Sequence, residues 1–182
     1  YRETFGLHAS NGILFNHESP YRGDGFVSRK ITSGVASISL GLQDSITLGN
    51  LDVERDWGHA RDYVEGMWLM LQQANANDYV LATGETHTVR DFVEHAFACV
   101  DRRIEWRGHG VDEKGFDVDS GAMLVDVDPA LLRRTEIFHR RGDAAKARER
   151  LGWRHRTTFD ELVREMVRAD LVLLKEDRGR AE

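Results

Sequence analysis

Apolar residues along the chain recur at alternating short and long periods, and that alternation predicts strands and helices in turn. Residues 1–6, Tyr-Arg-Glu-Thr-Phe-Gly, read as the tail of a helix closed by a C-terminal glycine. Residues 7–15 predict a strand that runs out through Asn11-Gly12-Ile13-Leu14-Phe15 into a polar loop over 16–25. Val27, Ile31, Val35 and Ile38 keep helical spacing within 26–42, and residues 46–48 form a short strand before a Gly-Asn turn. A helix over 59–73 places Tyr63, Val64, Met67, Trp68 and Leu71 on one inward stripe. A buried strand follows at 79–82, closed by Thr83-Gly84.

The second half repeats the alternation. Thr88 with Asp91 has the form of a capping box opening a helix over 89–100. Strands at 104–106 and 123–127 flank a loop rich in Gly and Asp. Gly142-Asp143 opens a helix over 144–151, and Gly152-Trp153 stops it. Thr158 with Glu161 caps a final helix whose inward residues are Phe159, Leu162, Val163, Met166, Val167 and Leu171. The tail from Lys175 is charged and expected to fray. Strand–helix alternation of this kind predicts an α/β fold.

Composition narrows the class. At 182 residues the chain makes one domain, or incomplete pieces of two. It is 41% hydrophobic with two prolines, an ordinary globular balance. A formal charge of −6 argues against general affinity for nucleic acid, which wants a basic face. Local basic clusters still leave room for a small anionic ligand. Cys99, the single cysteine, excludes an internal disulfide and reads as a buried thiol. No signal peptide opens the chain and no apolar run approaches a membrane span, so a cytoplasmic protein without a membrane partner is expected. There is no initiator Met, and the opening helix tail reads as part of a longer protein.

Several reactive signatures are missing from the sequence. No GxGxxG spacing supplies a pyrophosphate-cradling turn, and no tyrosine is followed four residues later by lysine. The histidines are scattered, which gives no metal-ligand spacing, and no Gly-x-Ser-x-Gly elbow occurs. What remains is a set of amide and cationic side chains at strand ends and loops. Asn16 and His17 offer short, directional hydrogen bonds to sugar or phosphate oxygen, although for His17 a loop histidine bonded to backbone is the favoured reading from the residues alone. Arg22 and Lys30 can meet phosphate charge, with a solvated helix face as the rival reading for Lys30. Gly49 permits close approach to backbone. Arg55 can bind a diphosphate, against a salt bridge to Asp52 or Asp56, while Trp57 reads as packing and Asp62 as a helix-surface charge. Arg133-Arg134-Thr135-Glu136 suits phosphate plus a base or ribose edge, and from spacing alone a solvated charge run is the favoured reading.

Taken together, the strings Asn11-Gly12-Ile13-Leu14-Phe15-Asn16-His17-Glu18-Ser19-Pro20, Arg29-Lys30-Ile31, Leu48-Gly49-Asn50-Leu51-Asp52 and Arg55-Asp56-Trp57-Gly58-His59-Ala60 resemble the carboxy-terminal half of the GDP-mannose 4,6-dehydratases. So do Ala82-Thr83-Gly84, Arg133 with Thr135-Glu136, Gly142-Asp143 and Leu151-Gly152-Trp153. That family belongs to the extended short-chain dehydrogenase/reductases. Relatives acting on other nucleotide sugars carry an Asn-x-Tyr-Gly-Pro type segment where this chain has Asn-His-Glu-Ser-Pro. Tyr21 and Arg134 stand where the family often has Arg and Pro.

The resemblance implies a hydro-lyase that converts GDP-mannose to GDP-4-keto-6-deoxymannose with bound NADP, active as a homodimer or homotetramer. It implies the end of an NADP-binding Rossmann domain (1–15 and 59–83), a smaller α/β nucleotide-sugar lobe (16–58 and 84–174) and a tail (175–182). His17 and Arg22 match the family's cofactor contacts. Asn16, Val27, Lys30, Gly49, Arg55, Arg133 and Glu136 match its GDP-mannose contacts. The family's Tyr-Lys pair, Thr and Glu base have no counterpart in these residues, so the expectation is a fragment that holds ligand without a catalytic residue or a metal of its own. The alternatives are a non-catalytic nucleotide-sugar-binding piece and another GDP-sugar reductase or epimerase of the same superfamily.

Overall fold

The computed structural model describes residues 1–132, 135 and 137–181. Its strands are β1 (Gly12–Leu14), β2 (Asn16–Glu18), β3 (Ile46–Leu48), β4 (Glu54–Arg55), β5 (Trp57–His59) and β6 (Tyr79–Leu81). The series continues with β7 (His87–Thr88), β8 (Ile104–Arg107), β9 (Lys114–Asp117), β10 (Met123–Val127) and β11 (His139–Arg140). The helices are α1 (Arg2–Phe5), α2 (Val27–Ser39), α3 (Ala60–Leu71), α4 (Val89–Ala98), α5 (Ala145–Leu151) and α6 (Phe159–Ala181). Among the described residues, no helix is long and apolar enough to cross a membrane.

The chain divides into two compact units, each gathered from three stretches of sequence. The first comprises Tyr1–Ser19, Glu54–His87 and His139–Leu162. Its strands pair in parallel, β1 with β6, β2 with β5 and β4 with β11. Parallel pairing excludes tight hairpins between partners, and α3 carries the chain from β5, paired with β2, to β6, paired with β1. The core of this unit packs Tyr63 and Met70 of α3 against Tyr79 and Leu81 of β6, with Ala147 and Leu151 of α5 and Trp153 beside them. Trp153 Nε1 donates to the Asp62 carbonyl at 2.7 Å, so the buried indole is satisfied.

The second unit comprises Pro20–Val53, Thr88–Phe138 and Val163–Glu182. Its sheet has the order β3-β10-β9-β8, parallel at β3–β10 and antiparallel in the other pairs. Ile31, Val35 and Ile38 of α2, Phe92, Val93 and Phe97 of α4, Leu124 and Val125 of β10, and Met166 and Val167 of α6 form the buried set.

The capping box at Thr88 and Asp91 is present, with Asp91 N donating to Thr88 Oγ1 at 3.0 Å and Thr88 N to Asp91 Oδ2 at 2.8 Å. The Thr158–Glu161 box forms as well. Gly6 and Gly152 close their helices in the left-handed region, at φ 65° and 66°.

Other expectations need correction. The segment at 16–18 is not loop: Asn16, His17 and Glu18 pair with Trp57, Gly58 and His59, so the ladder outranks their polarity. The strand expected over 7–15 contracts to Gly12–Leu14. The inward stripe of α3 is turned. Asp62, Tyr63, Gly66 and Met70 are buried, whereas Val64, Met67, Trp68 and Leu71 are exposed. Gly66 sets this orientation, because a Cβ there would meet the Leu81 side chain at 2.6 Å. Asp62 is a buried acceptor, not a surface charge: its Oδ2 takes Arg156 N at 3.1 Å and Thr157 N at 3.0 Å. Cys99 is only half-buried, at the end of α4. The charged tail from Lys175 continues α6, and the Gly/Asp-rich loop contains β9.

Candidate functional site

In the first unit, Asn16 and His17 stand on β2 and Arg55 on β4, short strands paired in parallel with β5 and β11. The carboxyl ends of parallel strands are where open α/β sheets take ligands. His17 Nδ1 lies 2.9 Å from the Phe15 carbonyl and donates to it, which fixes the ring orientation. Its ring centroid is 5.6 Å from that of Tyr63. The Tyr63 hydroxyl is pushed far above its ordinary pKa, first by burial and then by the carboxylates of Asp56, Asp62 and Glu18. It therefore stays protonated at any working pH.

Arg55 ends β4 and donates from NH1 to the Glu54 carbonyl at 2.8 Å. The two carboxylates that the sequence offered as its partners are engaged elsewhere. Asp56 is fully buried; Oδ1 accepts from Thr83 N (2.8 Å) and Thr83 Oγ1 (2.7 Å), and Oδ2 from Gly84 N (2.9 Å) and Gly142 N (3.1 Å). Asp52 accepts from Arg90. Trp57 is core, stacked on Phe159 with 6.0 Å between centroids.

In the second unit, Arg22 sits over the Phe26 ring, its guanidinium carbon 3.4 Å from the centroid. Phe26 is the N-cap of α2, and Val27 and Lys30 sit one turn apart on the exposed face of the first turn, with Ser28 and Arg29 buried between them. The positive end of a 13-residue helix and an exposed ammonium thus coincide. Gly49 follows β3. A Cβ there would meet the Leu131 carbonyl oxygen at 2.8 Å, so the glycine is required by the protein's own backbone.

Beside Gly49 lies a cavity of about 250 Å³. Its walls are Asn50, Leu51, Asp52, Gly110, Val111, Glu113, Val127, Leu132 and Phe138. The volume is below the ~300–1,000 Å³ of pockets that enclose a whole drug-sized ligand, and it suits one end of a larger molecule. Asn50 Oδ1 accepts from Asp52 N at 2.9 Å, a short turn that shapes the near wall. The far wall is tied to it by Arg90, whose fork donates to both oxygens of Glu113 at 2.8 and 2.9 Å and to Asp52 Oδ1 at 2.8 Å. Burial opposes the Arg90 charge, but the bonds to Glu113 and Asp52 outweigh it and hold the guanidinium protonated.

The sequence missed Val111, Glu113 and Phe138 as cavity residues, and Arg90 as their tie. Only the Asn50-x-Asp52 turn had a local signature. Arg133, Arg134 and Glu136 lie outside the described residues. Among the described residues, no group of three or more His, Cys, Asp or Glu could hold a metal ion.

A family model described as GDP-mannose 4,6 dehydratase matches residues 1–166. A GDP-mannose 4,6-dehydratase of Sinorhizobium fredii is 58% identical over 178 residues, covering 98% of this chain and 51% of that protein. The Homo sapiens GDP-mannose 4,6 dehydratase is 52% identical over 175 residues, 96% of this chain and 47% of the relative. The chain therefore spans about half the length of the curated relatives it matches. Among solved structures, RMD from Pseudomonas aeruginosa complexed with NADPH superposes with a TM-score of 0.78 at 21% identity, covering 94% of this chain and 51% of that one. A UDP-glucose 4-epimerase from Thermotoga maritima gives 0.70 at 18% identity, over 95% of this chain and 49% of that one. At such identities the likeness shows a shared α/β fold.

Proposed function

The chain belongs to the GDP-mannose 4,6-dehydratase family, and from that premise we propose that it is the nucleotide-sugar-binding portion of an enzyme converting GDP-mannose to GDP-4-keto-6-deoxymannose with bound NADP. The observation that carries this reading is the cavity beside Gly49, sized for the base end of a nucleotide and built entirely within the second unit. Exposed Lys30 at the start of α2 supplies a point charge for diphosphate, and the helix end adds to it. Arg55 contributes a second cation and Asn16 a directional amide for sugar or phosphate oxygen. Arg133 and Glu136 would serve phosphate and ribose or base by the same family correspondence.

Two residues suit NADP. His17 is oriented by its bond to the Phe15 carbonyl, and Arg22 is held as a planar cation on Phe26. When bound, the cofactor supplies temporary storage of one hydride, so that sugar oxidation and later reduction need no second redox partner. The chain's own residues in this account bind and orient; none of them moves a proton. The whole enzyme is proposed to work in the cytoplasm as a homodimer or homotetramer, which light scattering on the full-length protein would read.

Calorimetric titration of the chain with GDP-mannose tests the proposal. Saturable binding at a 1:1 ratio is expected. Heats indistinguishable from dilution, with the chain shown folded by circular dichroism, would overturn it.

A further inference from the structure

The Arg90–Glu113–Asp52 cluster is more elaborate than loop closure requires. One guanidinium takes both oxygens of Glu113 and one of Asp52, and it also stacks over the Trp106 ring, 4.7 Å from the centroid. Both carboxylates line the cavity beside Gly49. They are not equivalent. The Glu113 side chain is 14% exposed and both its oxygens face Arg90, so it is consumed by the tie. The Asp52 side chain is 69% exposed and gives Arg90 only Oδ1, which among the described residues leaves Oδ2 as its remaining acceptor.

We infer that Asp52 is a base-specificity residue that accepts an N–H from the donor edge of guanine, and that Arg90 is the positioning residue that aims it. This rests on the reading of the cavity as the base end of a nucleotide site. The chemistry discriminates sharply. Guanine presents N–H donors at N1 and at its 2-amino group, where adenine has an acceptor at N1 and no amino group at C2. A fixed carboxylate is therefore complementary to guanine and repels adenine at that position. Arg90 holds the carboxylate in place, and the Trp106 face beneath the guanidinium prevents it from swinging away. Lysine cannot replace it, because a single ammonium lacks the fork that spans two carboxylates.

The test is titration of the chain with GDP, IDP and ADP, for the unsubstituted protein and for Asp52→Asn, Arg90→Lys and the double variant. The unsubstituted chain is expected to bind GDP about tenfold or more tightly than ADP, the size of one charge-assisted hydrogen bond. In Asp52→Asn, the amide keeps its oxygen on Arg90 and turns a donor to the cavity, so GDP binding weakens about tenfold while ADP binding holds or improves. Arg90→Lys lowers the GDP/ADP ratio part of the way, and the double variant matches Asp52→Asn alone, because the two residues act as one unit. IDP, lacking the 2-amino group, reports whether N1–H or that amino group is read: equality with GDP assigns the contact to N1–H, and weaker binding assigns it to the amino group.

A purely structural role for Arg90 would weaken GDP and ADP together and leave their ratio unchanged, which would overturn its assignment. An unchanged ratio in Asp52→Asn, with GDP still bound, would overturn the specificity role while leaving the proposed function intact. No GDP binding by the unsubstituted chain would overturn both. Melting curves for all four proteins confirm that each variant is folded.

Discussion

A carboxylate removed from water persists as an anion only when donors replace its hydration. Asp56 meets that condition with four donors, from Thr83, Gly84 and Gly142, and the residue beside it is Arg55. The buried anion thus pins the strand end on which the candidate diphosphate cation stands. Asp56→Asn is expected to destabilise the first unit by about 3 kcal/mol, because the new amide group must face backbone donors. Urea titration followed by circular dichroism reads this as a lowered midpoint with an unchanged slope. Arg55→Ala in the whole enzyme is expected to weaken GDP-mannose binding by about 1.5–3 kcal/mol, the worth of a charge-assisted bond. Unchanged affinity in calorimetry would remove Arg55 from the diphosphate role.

At the scale of elements, β9 and β10 show how charge reinforces register. Lys114 and Asp126 are cross-strand partners, and Lys114 Nζ lies 2.7 Å from Asp126 Oδ1. That bond holds the Asp126 carboxyl below its ordinary pKa. A carboxylate depressed in the folded state binds fewer protons there than in the unfolded chain. Its contribution is therefore complete above the unfolded Asp value of ~3.9 and is lost as pH falls through the lower folded value. Lys114→Met should lower the melting temperature at pH 6, and the difference should close as the pH falls through the depressed folded value. Both side chains are partly exposed, so screening keeps the effect under about 1 kcal/mol.

The same scale explains what could be read from sequence. Capping boxes at Thr88 and Thr158 and the glycine stops at Gly6 and Gly152 were legible, because each is decided within a few residues. The buried face of α3 was not. Its apolar residues nearly encircle the helix, and the choice among them is made by contact of Gly66 with Leu81, far along the chain. Residues 16–18 looked like loop and 54–58 were assigned to no element for a related reason: two- and three-residue strands carry no period, and their partners are remote. The candidate ligand cations were legible as residue types at element ends. The cavity was not, since residues 49–52, Val111 and Glu113, and Val127, Leu132 and Phe138 meet only in three dimensions.

For the molecule as a whole, binding and turnover should separate. The sequence has no GxGxxG turn and no Tyr-x-x-x-Lys pair, yet the cavity beside Gly49 lies wholly within one unit. The 182-residue chain is therefore expected to bind GDP while forming no 4-keto product from GDP-mannose and NADP. Product analysis by mass spectrometry checks this, and sustained formation of the keto sugar would refute it.

The Asp56 cradle also fixes an order of events during synthesis. One of its donors, Gly142 N, and the β11 strand that pairs with β4 reside in the last quarter of the chain. The second unit likewise waits for residues beyond 162. On the ribosome neither unit can close when its first segment emerges, so both stay open until the segments from residue 139 onward have emerged. A stop codon near residue 138 would thus strand a buried anion without its full set of donors in one unit and leave the other without its α6 residues. Such a product should be cleared by proteases and should not accumulate as a half-folded remnant.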